Sequence, residues 1–115
     1  MRRGDIYLVD LDPSQGSEAK KVRPAVIVSN DGANQSVELH GRGVVTVVPV
    51  TSNTARVLTF QVLLLAEECG LVRDSKAQCE QVRAVAPERL GRRIGRVPRP
   101  RMAQVDAALR RHLAL

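Results

Sequence analysis

A long polar loop that ends in an arginine is the first feature of the sequence that could do chemistry. It carries Glu18, Lys20 and Lys21 and ends at Arg23, which Pro24 follows directly. Because a proline disfavours helical backbone at the residue before it, we expect Arg23 to be held extended at the start of an apolar run. A guanidinium in that position suits a bound phosphate, since it can donate two parallel hydrogen bonds. Basic residues beside strands are also common without such a site, so a structural role for Arg23 stays open.

Three polar side chains after a long apolar run form the second candidate. Thr51, Ser52 and Asn53 follow the segment that ends in Pro49 and Val50. The end of a buried strand holds side chains firmly, and the hydroxyl of Thr51 or Ser52 could donate to a phosphate oxygen. Residues of these types also close ordinary turns, so the pattern by itself leaves both interpretations open.

The charge of the chain favours a polyanionic partner. Among 115 residues, 18 are Lys or Arg and 12 are Asp or Glu, which gives a net charge of +6. Seven of the arginines lie between residues 92 and 111, where Asp106 is the only acid. Arginine binds phosphate better than lysine does, so this balance is typical of nucleic-acid binding, although a solvated helix face would have the same composition.

Other residue types exclude several classes of protein. Two cysteines are too few for a disulfide framework, and they form no metal motif with the two isolated histidines, His40 and His112. We therefore expect no metal and no cofactor. With only Tyr7 and Phe60 as aromatic residues, an aromatic platform for stacking bases is absent. No apolar segment resembles a signal peptide or a membrane span, so we expect a soluble cytoplasmic protein with no membrane partner.

The hydrophobic pattern predicts a chain of short strands that ends in one helix. Apolar residues at 102, 105, 109 and 113 recur at helical spacing, which predicts an amphipathic helix from Arg101 onward. Loops are expected over residues 12–22 and 30–35, and Pro87 with Gly91 predicts a break. Alternating or β-branched runs predict strands over residues 6–11, 25–28, 44–50, 58–64 and 80–85.

Short consecutive strands favour hairpins and antiparallel pairing. We therefore expect a mostly β domain that spans residues 1–115, a small antiparallel β-barrel with the C-terminal helix packed on one side. The length of the chain agrees with one domain, and no repeat or linker divides it.

Several short motifs follow one another in a fixed order along the whole chain. The first are Arg3-Gly4-Asp5-Ile6-Tyr7, Asp10-Leu11-Asp12-Pro13, Gly16-Ser17-Glu18, Arg23-Pro24-Ala25-Val26-Ile27-Val28-Ser29 and Pro49-Val50-Thr51-Ser52. Gly70-Leu71, Asp74-Ser75, Gln81-Val82-Arg83 and Leu90-Gly91 follow them. In order and spacing these motifs resemble the MazF/PemK family of endoribonuclease toxins.

The resemblance implies a fold, an activity and partners. Members of the family are toxins of type II toxin–antitoxin systems, fold as a small SH3-like β-barrel similar to that of CcdB, and form two-fold homodimers. They cut single-stranded RNA without a metal and leave a 2′,3′-cyclic phosphate and a 5′-hydroxyl. An acidic, MazE-like antitoxin would suit a toxin this basic, because such a segment can order over the RNA groove.

Site residues are carried over by motif. The arginine of the Arg-Pro pair is Arg23 and the threonine of the Thr-Ser pair is Thr51, and both match the family's catalytic positions. Glu18 matches an acidic residue that is sometimes given a catalytic role. Arginine is a poor general base because its pKa lies above about 12, so the base stays open. Candidate RNA-binding residues are Lys20, Lys21, Ser52, Asn53 and Gln81.

Two rival functions use the same fold. A CcdB-like gyrase inhibitor would act through aromatic residues at its C-terminus, and residues 110–115 contain none. A binder of RNA or antitoxin without catalysis is opposed by the presence of both Arg23 and Thr51. Between Asn30 and Gly43 we expect a family-variable loop that sets the cleavage sequence. Tyr7, where many members carry Trp, should change only core packing.

Overall fold

Seven strands and three helices form the chain in a computed structural model that describes residues 1–115. The first half contains strand β1 (Asp5–Asp10), strand β2 (Val22–Ile27), helix α1 (Asp31–His40) and strand β3 (Val45–Thr51). The second half contains β4 (Gln61–Leu64), α2 (Ala66–Cys69), β5 (Ser75–Gln78), β6 (Arg83–Val85), β7 (Leu90–Arg96) and α3 (Arg99–Leu113). Single 3-10 turns precede β6 and β7, at Cys79–Gln81 and Pro87–Arg89.

All seven strands belong to one antiparallel sheet. Its order is β4-β5-β3-β2-β1-β7, and β6 pairs with the first half of β3 while β5 pairs with its last residues. The strand β3 therefore lies at the centre and changes partner along its length. The expected class, mostly β with a C-terminal helix, is confirmed.

Two clusters of aliphatic side chains stabilise the sheet. One cluster lies under α3 and includes Ile6, Val48, Leu64 and Val105. The other lies on the opposite face of β2 and β3 and includes Val9, Leu11, Ile27 and Val47. Consecutive residues of β3 enter different clusters because side chains alternate between the two faces of a strand. None of the helices has the length and hydropathy needed to span a lipid bilayer.

The prediction of a loop at residues 30–35, and of a longer variable loop between Asn30 and Gly43, is wrong. Helix α1 occupies this region, because the Asn30 side chain accepts a hydrogen bond from the Ala33 amide and caps the first turn. Asn34 and Val37, one turn apart, are its buried residues, and Gly41 ends it in the left-handed conformation. With a single apolar side chain in its buried face, the helix has little periodic signal.

Strand limits also differ from those expected. Residues 58–60 precede β4 as a turn, and residues 79–81 form a 3-10 turn, so the strands expected at 58–64 and 80–85 are shorter. Strands β5 and β7 were not expected. Instead of a break, Pro87 begins a 3-10 turn and Gly91 lies inside β7, where a Cβ would be only 3.2 Å from the Leu8 carbonyl oxygen. Close approach of backbones therefore explains this glycine.

Helix α3 agrees with the amphipathic stripe in the sequence, although it begins two residues earlier, at Arg99. Val105 and Ala108 are buried, and Met102 and Leu109 pack against the core beneath. Leu113, the last residue of the stripe, is half exposed. The helix is tied to the N-terminus by an ion pair of 2.6 Å between Arg3 and Asp106.

Candidate nucleic-acid interface and active site

A groove of about 800 Å³ lies across the end of the sheet. Four strands supply apolar residues: Leu8 from β1, Pro24 from β2, Val50 from β3 and Ile94 from β7. The segment after α2, residues 70–73, and the loop after β3 also line it, and the polar strand residues of the lining are Arg23, Thr51, Ser75, Arg92 and Arg93. Residues that are far apart in the sequence therefore meet because strand pairing brings them side by side, as it does for Leu8 and Pro24 in the β1–β2 ladder.

Arg23 lies at this groove in a fixed orientation. Its side chain is partly buried, and its Nε donates to the carbonyl oxygen of Lys20 at 2.8 Å. The two terminal guanidinium nitrogens have no partner within the chain, so they remain free for a ligand. Pro24 pairs with Leu8 in the β1–β2 ladder, which anchors the backbone immediately after the arginine.

Thr51, at the end of β3, lines the same groove. Its Oγ1 accepts a hydrogen bond of 3.2 Å from the Asn53 amide, while Asn53 Oδ1 accepts one of 3.3 Å from the Ala55 amide. These bonds shape the turn and still leave the Thr51 hydroxyl proton and the Asn53 side-chain amide available as donors. Ser52, exposed between them, also lines the groove.

The groove is also lined by cations that the sequence patterns did not predict as site residues. Arg73 and Arg92 are exposed, their guanidinium groups make no ion pair or hydrogen bond within the chain, and no acidic side chain lines the groove with them. Arg92 belongs to the basic segment 92–111, but only the fold shows which arginine of that segment reaches the groove. Together with Arg23, they give the groove an unbalanced positive charge that suits a chain of phosphates.

Glu18, Lys20, Lys21 and Gln81 are outside the groove lining. Glu18 is exposed and accepts a hydrogen bond of 2.9 Å from the Gln15 amide. Lys20 and Lys21 are exposed on the β1–β2 loop, next to Arg23 in the chain. Gln81 holds that loop, since it accepts from the Ala19 amide at 3.2 Å and donates to the Ser17 carbonyl at 3.0 Å. Thus Arg23, Thr51, Ser52 and Asn53 are brought together, and the other candidates are grouped around the loop.

Asp5 carries the strongest ion pairing of the sheet. Its buried carboxylate lies 2.6 Å from Arg96 Nη1 and 3.2 Å from Arg93 Nε, and it accepts from the Arg2 amide. Burial alone would raise its pKa, but these hydrogen bonds outweigh burial and hold the pKa below its ordinary value. Arg93 is thereby occupied, which leaves Arg23, Arg73 and Arg92 as the cations of the groove that are free of acidic partners.

The potential metal ligands and thiols of the chain lie apart from the groove. No three His, Cys, Asp or Glu side chains come close enough to hold a metal ion. Cys69 and Cys79 are free thiols buried in the core under α3. Burial, together with neighbouring Glu80, raises the pKa of Cys79 to about 12. Such a thiol packs as an apolar side chain and is a weak nucleophile.

Comparison with known proteins gives one family. Residues 2–113 match the family described as the PemK-like, MazF-like toxin of a type II toxin–antitoxin system. The chain is 61% identical to endoribonuclease MazF9 of Mycobacterium tuberculosis over 115 residues, which is all of this chain and 98% of that protein.

Solved structures agree with the fold. The M. tuberculosis toxin MazF-mt6 is similar with a TM-score of 0.76 and 26% identity, over 96% of this chain and 97% of that one. A mycobacterial endoribonuclease in complex with its cognate antitoxin also has a TM-score of 0.76, with 23% identity over 100% and 96% of the two chains. The expected MazF-like architecture is therefore confirmed.

Proposed function

The chain belongs to the PemK-like, MazF-like family of toxins of type II toxin–antitoxin systems, and on that premise we propose that it is a sequence-specific endoribonuclease that cleaves single-stranded RNA in the groove beside Arg23. One observation carries the proposal: Arg23 and Thr51 line one groove whose other ionic side chains are all arginines. A site built to hold an anion in this way fits a phosphodiester and opposes a role in binding a cationic ligand or a metal ion.

The proposed chemistry is an internal transfer of the phosphoryl group. The 2′-oxygen of the substrate attacks the adjacent phosphorus and loses its proton, while the bond from phosphorus to the 5′-oxygen breaks and that oxygen gains a proton. The products are a 2′,3′-cyclic phosphate and a 5′-hydroxyl. The nucleophile is part of the substrate, so the protein's main task is to orient the phosphate and stabilise its developing charge.

Arg23 and Thr51 divide that task. The free terminal nitrogens of Arg23 donate to the two non-bridging oxygens, while its Nε stays on the Lys20 carbonyl. The Thr51 hydroxyl donates a further hydrogen bond to the phosphate. Because the Lys20 bond orients the guanidinium before substrate arrives, little reorganisation is needed when charge develops.

No residue is assigned as the general base. No carboxylate or histidine lines the groove, and Arg23 is too weak a base for the task. Glu18 is exposed on the neighbouring loop, where it contacts the Gln15 amide, so a part in proton transfer requires the β1–β2 loop to move toward the groove when RNA binds.

RNA recognition is proposed to rest on hydrogen bonds and phosphate contacts. Ser52 and Asn53 lie in the groove and can read base edges. Lys20 and Lys21, exposed on the β1–β2 loop next to Arg23 in the chain, are proposed as phosphate contacts, and Gln81 acts with them by holding the loop. Neither Tyr7 nor Phe60 lines the groove, so base stacking on an aromatic residue contributes nothing there.

The partners follow from the same premise. We propose a single toxin domain over residues 1–115 that acts in the cytoplasm as a homodimer and is held inactive by an acidic, MazE-like antitoxin. Charge complementarity supports the antitoxin, because the free arginines of the groove would attract carboxylates as they attract phosphates.

Cleavage of a long single-stranded RNA in EDTA tests the proposal. Wild type, Arg23→Ala and Arg42→Ala proteins are compared; Arg42 is a matched control, because it is exposed in the turn after α1 and lines no groove. We expect wild type and Arg42→Ala to give the same fragments with cyclic phosphate ends, and Arg23→Ala to give almost none. If no RNA is cut, the function is wrong. If cutting needs added metal, the mechanism is wrong.

A further inference from the structure

A smaller cavity of about 250 Å³ adjoins the groove and is lined by Asn53, Ala55, Arg56, Leu58 and Lys76. Asn53 lines both spaces, so the cavity continues the groove beyond Thr51. We propose that this cavity is a second phosphate site, which binds a phosphodiester of the RNA next to the scissile one. The inference rests on the proposed endoribonuclease function.

Lys76 is the central residue of this site. It lies in β5, and only 9% of it is exposed, which is unusual for a lysine. Its Nζ donates to the Arg56 carbonyl oxygen at 2.5 Å, and no carboxylate pairs with it. A buried ammonium with three donors and one protein acceptor has capacity for an external anion.

The position of Lys76 relates the cavity to the active site. It lies directly opposite Thr51 in the β3–β5 ladder. Side chains at opposite positions share a face of the sheet, with Cβ atoms about 5 Å apart. An anion on Lys76 would therefore lie beside a phosphate on Thr51 and Arg23, as successive phosphates of one strand do.

Two further donors complete the site. Arg56 is exposed and makes no ion pair, so its guanidinium is free. The Asn53 side-chain oxygen is occupied by the Ala55 amide, which leaves its amide N–H groups free to donate. No acidic residue lines the cavity. Two cations and an amide without any carboxylate favour an anion over a base or a metal ion.

The test combines protein variants with RNA oligonucleotides in which a single phosphate has lost its charge. A cleavage site is first mapped in long RNA, and oligonucleotides around it are then made with a 2′-deoxy block at the attacking nucleotide. In each oligonucleotide one linkage carries an uncharged methylphosphonate. Binding is measured by fluorescence anisotropy for wild type, Lys76→Met and Arg56→Met, with Arg42→Met as the control of equal charge loss.

We expect both cavity variants to bind unmodified RNA about tenfold or more weakly, because each loses a charge-assisted contact. The slope of log affinity against log salt should fall by about 0.7, the value for one phosphate of a single strand. At one linkage adjacent to the cleavage site, the methylphosphonate should weaken RNA binding by wild type but leave RNA binding by Lys76→Met and Arg56→Met unchanged.

Other outcomes overturn the site. If Lys76→Met loses affinity equally with every oligonucleotide, and Arg56→Met resembles Arg42→Met, then Lys76 only holds the loop through the Arg56 carbonyl. The exposed position of Arg56 keeps the test valid even if Lys76→Met does not fold. Wild-type protein that cuts no RNA refutes the endoribonuclease function itself, whereas intact cleavage without the linkage effect refutes only this inference.

Discussion

The Arg23 side chain is oriented by the backbone three residues before it, through the hydrogen bond of 2.8 Å from its Nε to the Lys20 carbonyl. This bond uses the Nε–H of the guanidinium and leaves the two terminal nitrogens, Nη1 and Nη2, free. Lysine has no second donor on a rigid plane and cannot reproduce this arrangement. Because of this geometry we expect the proposed cleavage to need an arginine at this position, rather than any cation.

Replacing Arg23 should therefore abolish cleavage even when the charge is kept. We expect single-turnover rates to fall about 10²–10³-fold for Arg23→Ala, the loss seen when one preorganised donor is removed. Arg23→Lys should lose nearly as much, because its ammonium cannot hold the Lys20 carbonyl and two phosphate oxygens together. An Arg23→Lys protein as fast as wild type would show that charge alone is sufficient. Affinity for RNA with a 2′-deoxy block separates binding from chemistry.

Substitutions of Thr51 should distinguish the hydroxyl from the size of the side chain. Thr51→Val keeps the shape but removes both the donor to phosphate and the acceptor of the Asn53 amide, so the single-turnover rate should fall about 10²-fold. Thr51→Ser retains the hydroxyl and should keep most of the rate. Equal rates for the valine and serine variants would exclude the hydroxyl from the reaction.

Asp5→Asn should change stability with a defined pH dependence. Because the pKa of Asp5 is lowered in the folded protein, its carboxylate stabilises the fold at neutral pH. That contribution is lost as pH falls from the ordinary value of 3.8 through the lowered one. Arg93 and Arg96 are about half exposed, so after discounting for solvent we expect a loss of about 1 kcal/mol at pH 7.

Urea unfolding at several pH values measures this effect. The difference in unfolding free energy between wild type and Asp5→Asn should shrink toward acid pH. A difference that stays constant from neutral pH to below the lowered pKa would mean that Asp5 acts through packing instead of through its charge.

Cys79 should resist modification while the chain is folded. With a pKa of about 12, its thiolate fraction at pH 8 is about one in 10⁴, and the side chain is fully buried. We expect iodoacetamide to label neither Cys79 nor Cys69 in native protein and to label both in urea, with mass spectrometry to count the adducts. Rapid labelling of native protein would contradict the buried positions of both thiols.

Gly95→Ala should destabilise the fold although alanine is normally acceptable in a strand. A Cβ at Gly95 would overlap with the Cys69 carbonyl oxygen, so β7 and the end of α2 would have to move apart. We expect a loss of about 1–3 kcal/mol in unfolding free energy, as for other overpacked positions. Gly32→Ala, in the first turn of α1, is the control: its Cβ would lie 3.3 Å from Asn30 Oδ1, a contact that a small side-chain shift relieves, so the change should be near neutral. Equal stability of the two variants would contradict the close packing.

The sequence by itself determined the class and the family, and it supplied the candidate residues of the reaction centre. Short β-branched runs predict strands because one strand of a sheet has a local hydrophobic signal, and α3 has a regular apolar stripe. Arg23 and Thr51 were identified through motifs, since their chemical roles depend on residue type. The local sequence pattern did not predict α1, because this helix depends on a cap and one buried valine. It also did not predict β7, because the glycines and arginines of this strand give almost no apolar alternation.

Only the tertiary structure decided which residues share a site. Arg73 reaches the groove from the segment after α2 and Arg92 from β7, and Lys76 lies beside Thr51 because of the register between β3 and β5. No local pattern encodes a register, because pairing partners are chosen by the packing of the whole sheet. For the same reason Gln81, expected as an RNA contact, lies where it holds the β1–β2 loop, and Glu18 lies outside the groove.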